Sequence, residues 1–166
     1  MNASLSLLDM LLGQYPEPFE LAQAYAQKAN VLLQLGRSGE AIDNYREALQ
    51  AERDFPNVKT TAWMNFGWLV VERKLIDLYE ETLSVMKEFR PQSPLAIEAY
   101  RFNAVCALIY EAWDNPAYAQ EFARAGLEAA SQTGSGFRYH QSVGLVTDED
   151  RKHPVFGRLQ ALAELS

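Results

Sequence analysis

A single cysteine, Cys106, and two histidines, His140 and His153, are all that 166 residues offer for thiol or imidazole chemistry. One thiol excludes an internal disulfide framework and any cysteine-cluster zinc site, which need at least two thiols and usually four. Neither histidine stands in a His-Glu-x-x-His or Glu-x-x-His spacing, the arrangement that puts metal ligands on one helical face. Basic charge is scarce too. Fifteen Lys and Arg against 22 Asp and Glu give a net charge of −7, and Arg151-Lys152-His153 is the one basic cluster, so a protein that binds nucleic acid by neutralising phosphates is not expected. No stretch reaches the roughly 18 apolar residues of a membrane span. The N-terminus has no basic flank, and Asp9 interrupts its leucines, so it does not read as a signal peptide. Gly134-Ser135-Gly136 lacks both the spacing and the lysine of a phosphate-binding loop. Adjacent acids such as Glu80-Glu81 do not face each other on a helix and read as solvated surface. The expectation is a cytoplasmic protein that is not an enzyme, uses no cofactor or metal, and has neither nucleic acid nor membrane as a partner.

What is present is helical periodicity. Hydrophobic residues make up 48% of the chain and charged ones 22%, too apolar for disorder, and strand signals are nearly absent. Leu5, Leu7, Leu8, Leu11 and Leu12, closed by Pro16, predict a helix over 3–15. Leu21, Ala22, Tyr25, Ala29, Leu32, Leu33 and Leu35 form a stripe at three- and four-residue spacing. Gly36 follows where a left-handed cap wants a residue without a β-carbon. Ala41, Ile42, Tyr45, Ala48 and Leu49 restart the recurrence after a turn at 36–39. Trp63, Phe66, Gly67 and Val70 predict the next helix, and Tyr79, Leu83, Met86 and Phe89 its successor. Ser93-Pro94 reads as a cap followed by proline at the first helical position, opening a helix over about 95–112 with Leu95, Tyr100, Ala104, Ala107 and Leu108. Asn115-Pro116 repeats that signal for a helix to about 131, with Tyr118, Ala119, Phe122, Ala123 and Leu127. A turn-rich stretch from 134 leads to a last short helix near Pro154 with Val155, Leu159, Leu162 and Leu165.

Tyr25, Trp63 and Tyr100 occupy equivalent places in three successive helix pairs. In 22–55 the aromatic Tyr25, the small Ala29, Leu35-Gly36, Ala41-Ile42, Tyr45 and Ala48-Leu49 have the spacing of one 34-residue unit, and the segment resembles a tetratricopeptide repeat (TPR). A second copy over 60–93 keeps Trp63, Phe66, Gly67 and Pro91 but has bulky Tyr79 at a small-residue position, which implies a splayed pair or a shift of phase. A degenerate third copy over 97–131 keeps Tyr100 and Ala104 and receives its small residue, Ala119, three places late. The resemblance implies an all-α fold in one domain, a right-handed superhelical stack of antiparallel helix pairs (a TPR-like α-solenoid). The flanking helices, with a turn-rich segment and cap over 134–166, would close its ends.

In such a stack the first helices line a concave groove. The inward positions free of packing are Ala26, Gln27, Asn30 and Gln34 in the first pair and Met64, Asn65, Trp68 and Glu72 in the second. Glu98, Arg101, Phe102 and Val105 follow in the third. This mixture of amides, one arginine and large apolar groups suits a peptide or helix segment of a protein partner, with Trp68 as anchor. Some members of the family clamp a partner's C-terminal carboxylate. Asn30 and Asn65 are similar to the clamp's asparagines, but its lysines are missing, Ala26 taking one such place. The expected function is a non-catalytic protein–protein interaction module. The alternatives are a self-assembling fragment of a larger repeat protein, homodimeric through exposed repeat ends such as Leu5, Leu8 and Leu12, a secretion-type chaperone, or a helical small-molecule sensor. Phe137 and Tyr139, on a Gly/Ser tether within 134–147, suggest a segment that occupies the groove until displaced.

Overall fold

The computed structural model describes residues 3–14, 18–92, 94–135, 137–140 and 142–165. Pro16, Ser93 and Gly136, invoked above as helix stop, cap and tether, lie outside them. Among the described residues all regular structure is helical: α1 (Ala3–Gln14), α2 (Pro18–Gln34), α3 (Ser38–Asp54), α4 (Ala62–Glu72), α5 (Tyr79–Phe89), α6 (Ala96–Ala112), α7 (Pro116–Ala130), α8 (Asp148–Lys152) and α9 (Pro154–Ala163), with one 3-10 turn at Ile76–Leu78. None of these helices is long and apolar enough to cross a membrane. The chain forms two compact units, Met1–Phe66 and Gly67–Ser166.

In the first unit, α2 packs antiparallel on α3, and α1 lies along α2. All five apolar positions read from the α3 sequence, Ala41, Ile42, Tyr45, Ala48 and Leu49, are buried. On α2 the buried side chains are Ala22, Ala24, Ala26, Ala29 and Leu32, while Tyr25 is only half-buried and Leu35 is exposed. Gly36 ends α2 at φ +75°. Its N–H donates to the Leu33 carbonyl at 2.9 Å and that of Arg37 to Leu32 at 2.9 Å, the pair of bonds that closes a Schellman cap. Helix α3 then begins at Ser38, inside the expected turn, with Arg37 paired to Glu40 at 2.5 Å. At its far end the buried Glu52 carboxylate accepts from the Thr60 N–H at 3.0 Å and from the Thr60 hydroxyl at 2.5 Å. The same hydroxyl accepts the Ala62 N–H at 3.0 Å, so one buried acid anchors the loop and the start of α4.

In the second unit, α6 is the central helix. Phe102 through Ala107 are buried without interruption, as expected of a helix that is apolar all round. It pairs closely with α7 through Ala104, Ala107, Ala119 and Ala123, all fully buried; these small side chains let the two backbones approach. Helix α9 covers that pair with Val155, Leu159 and Leu162, whereas Leu165 falls beyond the helix and is exposed. Helices α4 and α5 are not paired in the close manner of the other two. The sulfur of Met86 occupies the space at Gly67, 2.7 Å from where a β-carbon would sit. The buried face of α5 is Tyr79, Thr82, Val85 and Met86; of the four positions read from the sequence Tyr79 and Met86 are buried, and Leu83 and Phe89 are half-buried.

The start of α7 follows its sequence signal, with the Asn115 side chain accepting the Tyr118 N–H at 3.3 Å and Pro116 first in the helix. The start of α6 does not. Its first residue is Ala96, two beyond Pro94. The exposed donors there are met instead by the Glu98 carboxylate, 2.8 Å from the Leu95 N–H, and by the Gly144 carbonyl, 2.8 Å from the Ile97 N–H.

Helices α4 and α6 end as α2 does. Lys74 and Asp114 lie at φ +53° and +54°. Leu75 donates to Val70 at 2.9 Å and Asn115 to Tyr110 at 2.9 Å, again the six-to-one bond of a Schellman cap. The same stop therefore recurs at 36, 74 and 114, on a glycine only the first time.

Candidate functional site

The residues placed in the groove by the sequence divide between the two units. In the first, Gln27 and Gln34 are exposed and Asn30 and Asn65 half-buried. Met64 and Ala26 are buried and are thereby withdrawn from a solvent-facing groove. The asparagines are joined to each other: Asn30 Oδ1 accepts from the Tyr45 hydroxyl at 2.6 Å and from Asn65 Nδ2 at 3.3 Å, and Asn65 Nδ2 also reaches Thr61 Oγ1 at 3.3 Å. Burial pushes the Tyr45 phenol up to about 12, so it stays a neutral donor and holds Asn30 in place. These bonds engage the Asn30 amide oxygen and the Asn65 amide nitrogen. Gln27 and Asn30 also border a cleft of about 460 Å³ against Leu7, Leu8 and Leu11 of α1.

In the second unit Phe102 and Val105 are buried. Phe102 lies edge-on to Phe122, ring centroids 6.3 Å apart, under the Arg90 guanidinium at 4.3 Å. The physical reason is the position of α6: a central helix packed by α5, α7 and α9 turns Phe102 and Val105 inward.

Trp68, Glu72 and Arg101 do come together, but around the chain's own C-terminal segment. The Arg101 guanidinium lies over the Trp68 ring, 5.0 Å from its centroid, and meets Asp150 Oδ1 at 3.2 Å. The His153 ring lies 5.3 Å from Trp68, and its Nε2 is 3.4 Å from Glu72 Oε1. His153 Nδ1 accepts the Val155 N–H at 3.3 Å, which in the neutral ring leaves the proton on Nε2 to be donated to Glu72. For the Asp150 carboxyl, burial is the largest influence and an upward one. Hydrogen bonds from Thr147 and Arg101 together outweigh it and hold the group below the usual carboxylate range. The residues read as unspent in the sequence thus hold α8 and the head of α9. Phe137 and Tyr139, expected to occupy the groove, are exposed, Tyr139 strongly so.

Burial pushes the Cys106 thiol up to about 12, far above the range of a reactive thiolate. His140 is exposed, and His153 caps α9. Among the described residues no group of three or more His, Cys, Asp or Glu could hold a metal ion.

A feature with no counterpart in the sequence reading is a cleft of about 720 Å³ between the end of α4, the start of α5, the end of α6 and α9. Val71, Tyr79 and Val155 form its buried apolar floor, with Ile76, Lys74 and Arg158 exposed around it. Trp113 packs edge-on to Tyr79 at 6.5 Å and to Tyr110 at 5.8 Å, continuing the apolar surface outward. Only the recurrence of the cap, 38 residues beyond Gly36, could have pointed to Lys74.

No protein-family model, curated protein or solved structure matches the chain.

Proposed function

We propose that the chain is a TPR-like α-solenoid and works as a non-catalytic interaction module that binds a peptide or helical segment of a partner protein. The observation that carries this reading is the recurring unit. Helices α2, α4 and α6 each end in the same left-handed cap, at 36, 74 and 114, 11 residues after Tyr25, 11 after Trp63 and 14 after Tyr100. A chain built of repeated helix pairs spends its aromatics on packing and offers extended surface rather than an enclosed active site. The chemistry supports the same view, since the Cys106 thiol is buried and, of the two histidines, His140 is exposed and His153 caps α9. Selection of a displayed random twelve-residue peptide library on the full chain tests the proposal. Families of peptides that bind with one-to-one stoichiometry are expected; no enrichment after repeated rounds overturns it.

A second reading, self-association through the N-terminal helix, rests on Leu7 and Met10 of α1, which are 64% and 51% exposed. A mass in solution that rises with concentration and returns to that of one chain in Leu7→Glu/Met10→Glu would support it; a concentration-independent single-chain mass removes it.

A further inference from the structure

The cleft beside Lys74 has the size and lining of a binding site, since sites of several hundred Å³ with an apolar floor and a few polar groups are the usual form. Its surroundings are unusually apolar for a water-facing surface: Ile76 is 64% exposed and Trp113 is 42% exposed, and clustered exposed apolar side chains mark interaction surfaces. Its charged side chains are not all partnered. Glu111 is taken by Arg158 and Glu72 meets His153, while Lys74 has no ion-pair partner among the described residues.

Lys74 is also held at a backbone cost. At φ +53° it occupies the left-handed region that disfavours side chains with a β-carbon. The corresponding cap of α2 uses Gly36, and that of α6 uses aspartate, one of the few side chains that visits this region routinely. A lysine serves the cap worse than either, and strain of this kind concentrates where a side chain has another task.

The geometry points to this cleft as the docking site for an amphipathic segment of a partner protein that sets a large apolar side chain over Val71 and Tyr79 and a carboxylate against Lys74. The inference rests on the peptide-module reading and gives that module its site and the chemistry of its partner. An acidic partner segment is selected because Lys74 is the charged side chain of the cleft left without a hydrogen-bond or ion-pair partner among the described residues, although the chain as a whole is at −7.

The peptide library described above, selected in parallel on the wild-type chain and on Lys74→Glu, tests it. Wild-type families are expected to carry Leu, Ile, Phe or Trp with Asp or Glu within four residues, whereas Lys74→Glu is expected to select Lys or Arg in the acidic place. Synthetic wild-type-selected peptides should lose at least tenfold in affinity on Lys74→Glu and on Ile76→Asp. Lys74→Gly should bind about as weakly while melting at a higher temperature than wild type, a combination that a folding defect cannot produce. Families without an acidic residue, or binding indifferent to both Lys74→Glu and Ile76→Asp, overturn the cleft assignment and leave the module reading standing. A Lys74→Gly chain that melts lower overturns the strain argument. No enriched family overturns both readings. A concentration-dependent dimer abolished by Ile76→Asp assigns the cleft to a second copy of the chain and overturns the partner assigned here.

Discussion

Removing residues 147–166 should unfold the α6–α7 pair rather than uncover a binding surface. Helix α9 supplies Val155, Leu159 and Leu162, all buried against α6 and α7. Burial of such side chains contributes about 1.5–3 kcal/mol each. Three of them contribute on the order of 5–9 kcal/mol, an upper estimate because the unfolded chain is itself partly compact. The whole stability of an ordinary domain is about 5–15 kcal/mol, so the loss is of the size of what it subtracts from. Helix α8 is different: it buries nothing fully and is held by Asp150 on Arg101 and by the Arg151 guanidinium on the Ala130 carbonyl at 2.8 Å. Hydrogen exchange read by mass spectrometry on a chain ending at Val146 distinguishes the two roles. Amides of α6 and α7 should lose their protection while those of α2 and α3 keep theirs. Full protection of α6 and α7 in the shortened chain would refute the structural-cap reasoning and make the C-terminal segment a displaceable strap over Trp68 and Arg101.

Three further outcomes follow from named contacts. Gly36→Ala places a β-carbon in the left-handed region at φ +75° and should cost about 1–2 kcal/mol in urea denaturation; no change would contradict the cap. Because the folded-state pKa of Asp150 is depressed, the stability its ionised form contributes is present above the usual carboxylate pKa near 4 and is lost as pH falls through the lower folded value. Acid unfolding of Asp150→Asn, followed by tryptophan emission, should therefore have a shallower acid limb than wild type, and identical limbs would exclude the Arg101 and Thr147 bonds as its cause. Cys106, buried with its thiol pushed up to about 12, should react with an aromatic disulfide reagent at pH 8 only as fast as the second unit opens. Rapid labelling of the folded chain would contradict its burial.

Local signals made much of the helical layout readable. The α3 stripe, Gly36 and Asn115-Pro116 each work within a few residues, through helical spacing, a left-handed cap and an N-terminal cap. Contacts spanning long stretches of chain left no such trace. Arg101 and Asp150 stand 49 positions apart, and Glu72 and His153 stand 81 apart, so nothing periodic ties them together, and Trp68, Glu72 and Arg101 read as unspent. Pair spacing alone places Phe102 and Val105 in a groove, because it does not tell a helix with one free face from a central one. The unbroken buried run from Phe102 to Ala107 marks that stretch of α6 as enclosed. Lys74 was silent for a different reason: a left-handed cap is visible in sequence when glycine fills it and invisible when lysine does. Tyr118, read as part of the α7 stripe, is half exposed and rests on Tyr110 at 5.0 Å, a contact within an aromatic cluster rather than a core position.

The central claim, that this chain holds a partner segment and holds it beside Lys74, meets its most direct test in amide chemical-shift mapping with the tightest selected peptide. Shifts confined to 71–79, 108–112 and 153–158, saturating at one peptide per chain, are the predicted result. Shifts centred on Trp68, Arg101 and Asp150, or none on saturation, would contradict it.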